Sequence, residues 1–388
     1  MNNQAVMQVP SMNEQSVLQE RKRTKAICIA AVVAVLIATL WPFNPFPRNG
    51  VAWLRPTGGL KFEGAGLVMS SEPLKPPETQ TTESYSLELM LWPASTQLKS
   101  TMLAFYTPTR PRQLLVRQYK DSLQVTHDAA IESDSTNTIK FEVEHFFRPR
   151  RLVLVTISSG SNGTAVYLDG QPADFFSRFK ISRSELSGQI ILGTAAVNYA
   201  PWEGELRGLA IYSKELTPED ALRHFQQWAD RSVPPDLDHV IARYFFAEGS
   251  GREVRNQVAA RPQLKIPVSF SVPHKDLLRS APKEFKADWR YAKDVLENIA
   301  GFVPLGFLVC AYFAPNGDRW KAILIAAIAC GVLSFVIEVL QYYIPRRGSG
   351  TTDIITNTLG AALGATLTQA GAGRHALERM KLIRRVQP

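Results

Sequence analysis

The residues in this chain of 388 best suited to chemistry are carboxylates and amides set inside or beside long apolar runs. Glu338 and Gln341 stand three apart, and Asp353 and Asn357 stand four apart, so each pair shares one face of a helix. Asp294, Glu297 and Asn298 open another apolar run, and Arg346 and Arg347 lie between the two pairs. A carboxylate deep in an apolar helix has to be paired, hydrogen-bonded or protonated, so Glu338 and Asp353 are the candidates for general acid or base work. Arg346 or Arg347 would hold a phosphate through the guanidinium fork. The alternative is structural: Glu338 clamps against Arg346 and simply orders a helix bundle. No serine elbow, histidine metal motif or Walker loop accompanies these residues. His127, His145, His224, His239, His274 and His375 are scattered outside the apolar runs. The catalytic residues are therefore unassigned, no cofactor is evident, and no metal set is expected.

The elements that would position these groups are membrane helices. Four apolar runs, at residues 26–43, 296–315, 323–344 and 354–371, suit spans of a hydrocarbon core about 30 Å thick. Arg21, Lys22, Arg23 and Lys25 precede the first, which places the N-terminus in the cytoplasm and exports the chain beyond that span. Reading that run as a cleaved signal peptide is the competing view, but no small-x-small cleavage site comes after it. Four spans return the C-terminus to the cytoplasm, where Arg374, Arg379, Lys381, Arg384 and Arg385 lie. Asp294, Asn298, Glu338, Gln341, Arg346, Arg347, Asp353 and Asn357 then reach one membrane level on the outer side. Gly360 and Gly364 form a small-xxx-small stripe for close helix packing, and Gly301, Pro304 and Gly306 loosen or bend the second span.

Charge and cysteine usage agree with this plan. The net charge is +9, yet the basic residues flank apolar runs rather than forming an aromatic-interleaved stripe, so nucleic acid is excluded as a partner. Cys28, Cys310 and Cys330 all sit in apolar runs, so the middle of the chain has no disulfide to staple it. That middle, residues 50–275, alternates apolar and polar positions in short segments. Strands are expected around Tyr85 to Leu91 and at residues 102–106, 114–119, 152–157, 164–168, 189–192 and 204–212, punctuated by Asn162-Gly163 and Asp169-Gly170 turns. Many short strands without helices between them argue for an antiparallel sandwich. One helix is signalled by Thr217 as N-cap, Pro218 at the first position, and Glu219 and Asp220 after it.

Two resemblances rest on particular residues. Ala165-Val166-Tyr167-Leu168-Asp169-Gly170, Ile191-Leu192-Gly193, Trp202-Glu203-Gly204-Glu205-Leu206, Ala210-Ile211-Tyr212 and Leu216-Thr217-Pro218-Glu219 resemble the laminin-G/concanavalin A-like jelly-roll family. That resemblance implies a sandwich that binds glycan or protein, in some members through calcium, although no carboxylate cluster here matches a calcium site. Asp294-Val295-Leu296-Glu297-Asn298 through Leu305-Gly306, Glu338-Val339-Leu340-Gln341 with Pro345-Arg346-Arg347, and Asp353-Ile354-Ile355-Thr356-Asn357-Thr358-Leu359-Gly360 resemble the VanZ-like membrane family. The implied plan is a cytoplasmic tail (1–25), a first transmembrane helix (26–43), an exported sandwich inserted between the first and second spans (50–275), a VanZ-like unit with helices 2–4 (290–372) and a basic cytoplasmic tail (373–388). It points to a bacterial inner (plasma) membrane, with the bilayer as partner, an envelope glycan, lipid-linked sugar or protein as ligand, and a link with glycopeptide resistance or envelope biogenesis. Three readings stay open: an accessory envelope protein whose sandwich recognises a glycan or protein, a membrane enzyme acting on lipid-linked sugars or phospholipid head groups, or a simple tether in which the bundle is only an anchor.

Overall fold

The computed structural model describes residues 12–78, 83–128, 138–230, 238–260, 262–313, 319–380 and 382. Residues 314 and 315 of the expected second span, and Lys381, Arg384 and Arg385 of the basic tail, lie outside the described residues. The chain divides into two compact units, residues 46–275 and residues 1–45 with 276–388.

The middle unit is built of strands. In chain order they are β1 (Val51–Trp53), β2 (Leu60–Phe62), β3 (Val68–Ser70), β4 (Tyr85–Pro93), β5 (Lys99–Tyr106), β6 (Leu114–Tyr119), β7 (Ser122–Asp128) and β8 (Thr138–Val143). Then come β9 (Val153–Gly160), β10 (Gly163–Leu168), β11 (Gln171–Phe176), β12 (Gln189–Leu192), β13 (Gly204–Tyr212), β14 (Val240–Tyr244), β15 (Glu253–Val254) and β16 (Leu264–Lys265). They form two antiparallel sheets. One runs β1-β2-β13-β4-β9-β10-β11, with β14 also on β13; the other runs β15-β16-β3-β12-β5-β6-β7-β8. Side chains alternate across a strand, so Leu87, Leu89 and Leu91 of β4 and Val153, Val155 and Ile157 of β9 share one face. They meet Leu103, Phe105, Leu114, Val116, Leu123 and Val125 of the other sheet in one buried core. Each such side chain contributes about 1.5–3 kcal/mol on leaving water.

The opposite face of the first sheet is covered by a helix. After the short α2 (Arg183–Leu186), α3 (Pro218–Ala229) starts at Thr217, whose hydroxyl accepts the Asp220 N–H while the Asp220 carboxylate accepts the Thr217 N–H. Burial works against the charge on Asp220, but these bonds and the Arg223 guanidinium hold its carboxyl below the ordinary range. Trp228 of α3 lies over Gly208 of β13, where any Cβ would collide with the indole. Beneath the helix sits Glu88, wholly buried. Its carboxylate accepts from the Tyr212 hydroxyl at 2.7 Å, the Trp228 Nε1–H at 2.9 Å and the Thr156 hydroxyl at 3.4 Å, and meets His224 Nδ1 at 2.9 Å. A buried carboxylate so surrounded fastens the helix to the sheet.

The other unit is helical: α1 (Met12–Leu40), α4 (Ala281–Glu284), α5 (Trp289–Phe313), α6 (Arg319–Tyr342), α7 (Thr351–Leu367) and α8 (Gly371–Arg379). Among the described residues three stretches, Leu18–Leu40, Trp289–Phe313 and Arg319–Tyr342, are long and apolar enough to cross a membrane. α7, with 17 residues, is about 25 Å long and packs in the same bundle as a shorter fourth helix. Ile29, Val33 and Ile37 on α1, and Leu324, Ile328 and Val332 on α6, are exposed at fourfold spacing, as lipid-facing stripes require. Trp41, Trp289 and Trp320 stand exposed at helix ends, where interfacial aromatics belong. α5 and α7 approach through small residues. A Cβ on Gly306 would strike the Ala361 backbone, one on Gly360 the Ile299 backbone, and one on Gly364 the Val303 backbone. Gly301 faces open space and Pro304 is exposed on α5.

Candidate functional site

The polar residues of the helical unit gather at the start of α7. Chain turning back after α6 ends at Gly350, the N-cap, and the opening turn of a helix leaves backbone N–H groups without partners. Carboxylates supply them. The Gly350 N–H donates to Glu338 Oε2 at 2.8 Å, and the Thr352 N–H donates to Glu284 Oε2 at 3.0 Å. Glu284 reaches this point because the segment before α4 is laid along α7: Thr351 N–H bonds Arg279 O at 2.8 Å and Arg279 N–H bonds Ser349 O at 3.0 Å. Gly350 leaves room for that carboxylate, since a Cβ there would overlap it. Asp353 in the first turn meets Glu338 and accepts the Asn298 amide of α5 at 2.7 Å. Three carboxylates thus surround the positive end of α7, and Glu338 is 2% exposed.

The remaining sequence-derived candidates divide between this cluster and its surroundings. Asp294 is exposed on α5, with its charge acting on Asp353. Asn357, one turn beyond Asp353, donates to Ser334 Oγ at 2.9 Å. Its Oδ1 and the Thr352 hydroxyl are buried without a hydrogen-bond partner among the described residues. Gln341 donates instead to Thr39 O at the end of α1, at 3.1 Å, and Arg347 to Trp41 O at 3.4 Å. Arg346 and Arg347 are both exposed. Glu284 was not among the candidates; it sits in a short helix outside the apolar runs, where nothing local marks it. Because the Gly350 and Thr352 amides are already occupied by carboxylates, they do not form a phosphate cradle. An anion at this level would depend on the arginines. No group of three or more His, Cys, Asp or Glu side chains among the described residues is placed to hold a metal ion.

A second site, with no residue among the sequence-derived candidates, lies on the sandwich. The faces of β6, β7 and β8 that point away from the core line a pocket of about 440 Å³, within the usual range of small-ligand clefts. Register aligns the side chains in cross-strand rows: Arg117 opposite Gln124, then Leu115 opposite Thr126 and Thr126 opposite Lys140. The far wall is the loop after β12, carrying Asn198 in the left-handed region at φ 66°. That loop is pinned at both ends. Thr101 N–H bonds Ala200 O at 3.2 Å, Trp202 N–H bonds Gly193 O at 2.8 Å, and the buried Trp202 indole donates to Gln118 Oε1 at 2.8 Å. The signal in the sequence was the polar alternation Arg117, Tyr119, Gln124, Thr126, but which strands pair is not a local property.

Residues 240–371 match the family model VanZ/LLP1, which covers the end of the sandwich unit and the helices α5, α6 and α7. The chain is therefore a multi-pass membrane protein with a VanZ-type region and an antiparallel β-sandwich inserted behind its first helix. No curated protein matches the sequence. Among solved structures, the chain is similar to a native heptameric SAP-like pentraxin from Limulus polyphemus, at 13% identity and TM-score 0.31, over 46% of this chain and 78% of that one. It is also similar to a putative carbohydrate binding protein from Bacteroides ovatus, at 11% identity and TM-score 0.38, over 58% of this chain and 62% of that one. The receptor binding domain of botulinum neurotoxin D matches at 13% identity and TM-score 0.34, over 45% of each chain.

Proposed function

We propose that this chain is a bacterial inner-membrane protein whose sandwich lies in the periplasmic or extracellular space and recognises an envelope glycan. The observation that carries the reading is the polar pocket on β6, β7 and β8, whose size suits a small saccharide unit rather than the flat contact of a protein partner. The basic run Arg21 to Lys25 before the apolar part of α1 supports a cytoplasmic N-terminus, with the C-terminus cytoplasmic as well. The Glu338, Asp353 and Asn298 cluster then faces the side to which the sandwich is exported, toward a lipid-linked or head-group ligand. Such a protein would serve envelope or exopolysaccharide biogenesis, or resistance to glycopeptide antibiotics. Full-length protein in lipid nanodiscs, applied to an array of envelope polysaccharides and peptidoglycan fragments, should bind one class saturably. Labelling of a cysteine introduced at Gly348 by an impermeant reagent in intact cells should succeed. Labelling only after lysis would sink the topology, and a blank array would sink the recognition role.

One observation favours an enzymatic reading of the membrane unit: Glu338 and Asp353 meet in a buried site while Arg346 and Arg347 are exposed close by in the chain. A head-group phosphate held by an arginine would then present its ester to a carboxyl acting as acid or base. Turnover of a lipid-linked sugar that survives Glu338→Gln at the full rate would exclude acid-base work by that residue.

A further inference from the structure

The described lining of the sandwich pocket carries an excess of positive charge. Arg117 on β6, Lys140 on β8 and Arg112 just ahead of β6 line it, against Asp128 as the carboxylate among the described lining residues. Asp128 is itself engaged, accepting the Thr138 hydroxyl at 3.2 Å. No ion pair among the described residues joins Arg112, Arg117 or Lys140 to a carboxylate. Directly across from Arg117 in the next strand stands an amide, Gln124, rather than a carboxylate. Arg117 Nη1 donates to Gln124 Oε1 at 3.2 Å, and Gln124 Nε2 donates in turn to Glu142 Oε2 at 3.1 Å. The glutamine is thereby fixed, and it orients the guanidinium while leaving most of its donors unused. Burial first, and then the like charge of Arg112, push the Arg117 guanidinium below its ordinary pKa. Converging like charges inside a concave surface are costly until an anion joins them.

The other walls suit a sugar. Tyr119 presents its ring, with Lys99 Nζ 4.2 Å from the ring centroid and bonded to the hydroxyl at 2.6 Å, so the aromatic face is held in place. Asn198 offers an amide donor and acceptor from the pinned loop. We infer that the pocket takes an acidic saccharide, its carboxylate or phosphate held by Arg112, Arg117 and Lys140 and its ring set between Tyr119 and Asn198. The inference rests on the reading of the sandwich as a glycan-binding domain and names the ligand class.

Calorimetric titration of the full-length protein in nanodiscs tests it with three probes: oligogalacturonate for a carboxylate, a phosphorylated oligosaccharide for a phosphate, and laminarin oligosaccharide as a neutral control. One acidic probe should bind, weaken as salt is raised, and outcompete the neutral one; which of the two binds identifies the anion. Arg117→Gln and the pair Arg112→Gln with Lys140→Gln should each weaken it by about tenfold or more. Lys140→Gln alone, at an exposed position, should weaken it without any change in thermal unfolding. Equal affinity for neutral and acidic probes, or undiminished binding by the charge variants, overturns the inference while glycan recognition stands. Failure of every glycan to bind a normally folded protein overturns both.

Discussion

Glu88 and Glu338 are both almost fully buried, one in each unit, and they are held in opposite ways. Around Glu88 the fold assembles the Tyr212 hydroxyl, the Trp228 indole and the His224 ring, all from β13 and α3. Around Glu338 it places one backbone N–H, from Gly350, and two further carboxylates, Asp353 and Glu284. Burial alone therefore does not separate a structural carboxylate from one under electrostatic tension. The sign and number of its partners do. A glutamate surrounded by donors has its acceptor capacity taken up, whereas Glu338 caps one backbone N–H beside two further carboxyl groups.

The same substitution at both positions breaks or sharpens this contrast. Glu88→Gln puts an amide N–H₂ against the Tyr212 hydroxyl, the Trp228 indole and the Thr156 hydroxyl, which already donate, so the sandwich should lose about 3 kcal/mol or more in denaturant unfolding followed by tryptophan fluorescence. A loss below about 1 kcal/mol would mean that α3 docks through its apolar contacts alone. Next in size is helix packing. Gly360→Leu forces a side chain into the Ile299 backbone and should cost the bundle about 1–3 kcal/mol, read as a lower melting temperature in detergent. Gly301→Ala, in open space on α5, should be neutral or stabilising within about 1 kcal/mol. Glu338→Gln keeps an acceptor for the Gly350 N–H and removes one of three clustered carboxyl groups, so unfolding free energy should change by less than about 1 kcal/mol, or rise. A large loss there would make Glu338 a structural clamp after all.

The smallest effect concerns Asp220 at the start of α3. Its folded pKa is depressed, so its contribution is present above the unfolded value of about 3.9 and disappears as pH falls through the folded value. Asp220→Asn should flatten the stability profile in that acid window and change stability by less than about 1 kcal/mol at neutral pH. Thermal melts across the acid range check this.

Locality decides how much of the molecule was legible in its sequence. The cap at Thr217 and the strands β6, β12 and β13 have the bounds expected from the sequence, because an N-cap and a strand's apolar pattern are written in neighbouring residues. β11 was not singled out: its six positions are almost all exposed, so no alternation marks it. β1, β2 and β3 have three residues each, too few to show a period. Glu338 and Asp353 were legible as polar residues in apolar runs, but Glu284 was not, since only the fold lays its helix along α7. The pocket was illegible for a related reason: Arg117, Gln124 and Lys140 become neighbours through strand pairing, and Asn198 joins them through a loop pinned from elsewhere.

The central claim, that the sandwich recognises a glycan through this pocket, is tested most directly by filling it. Thr126 lies on the pocket floor with its side chain directed away from the core, so Thr126→Trp would occupy the cavity while leaving the core untouched. Glycan-array binding by the full-length protein should be lost in this variant while its unfolding stays close to that of the unaltered chain. Binding that persists unchanged with the pocket filled would contradict the claim.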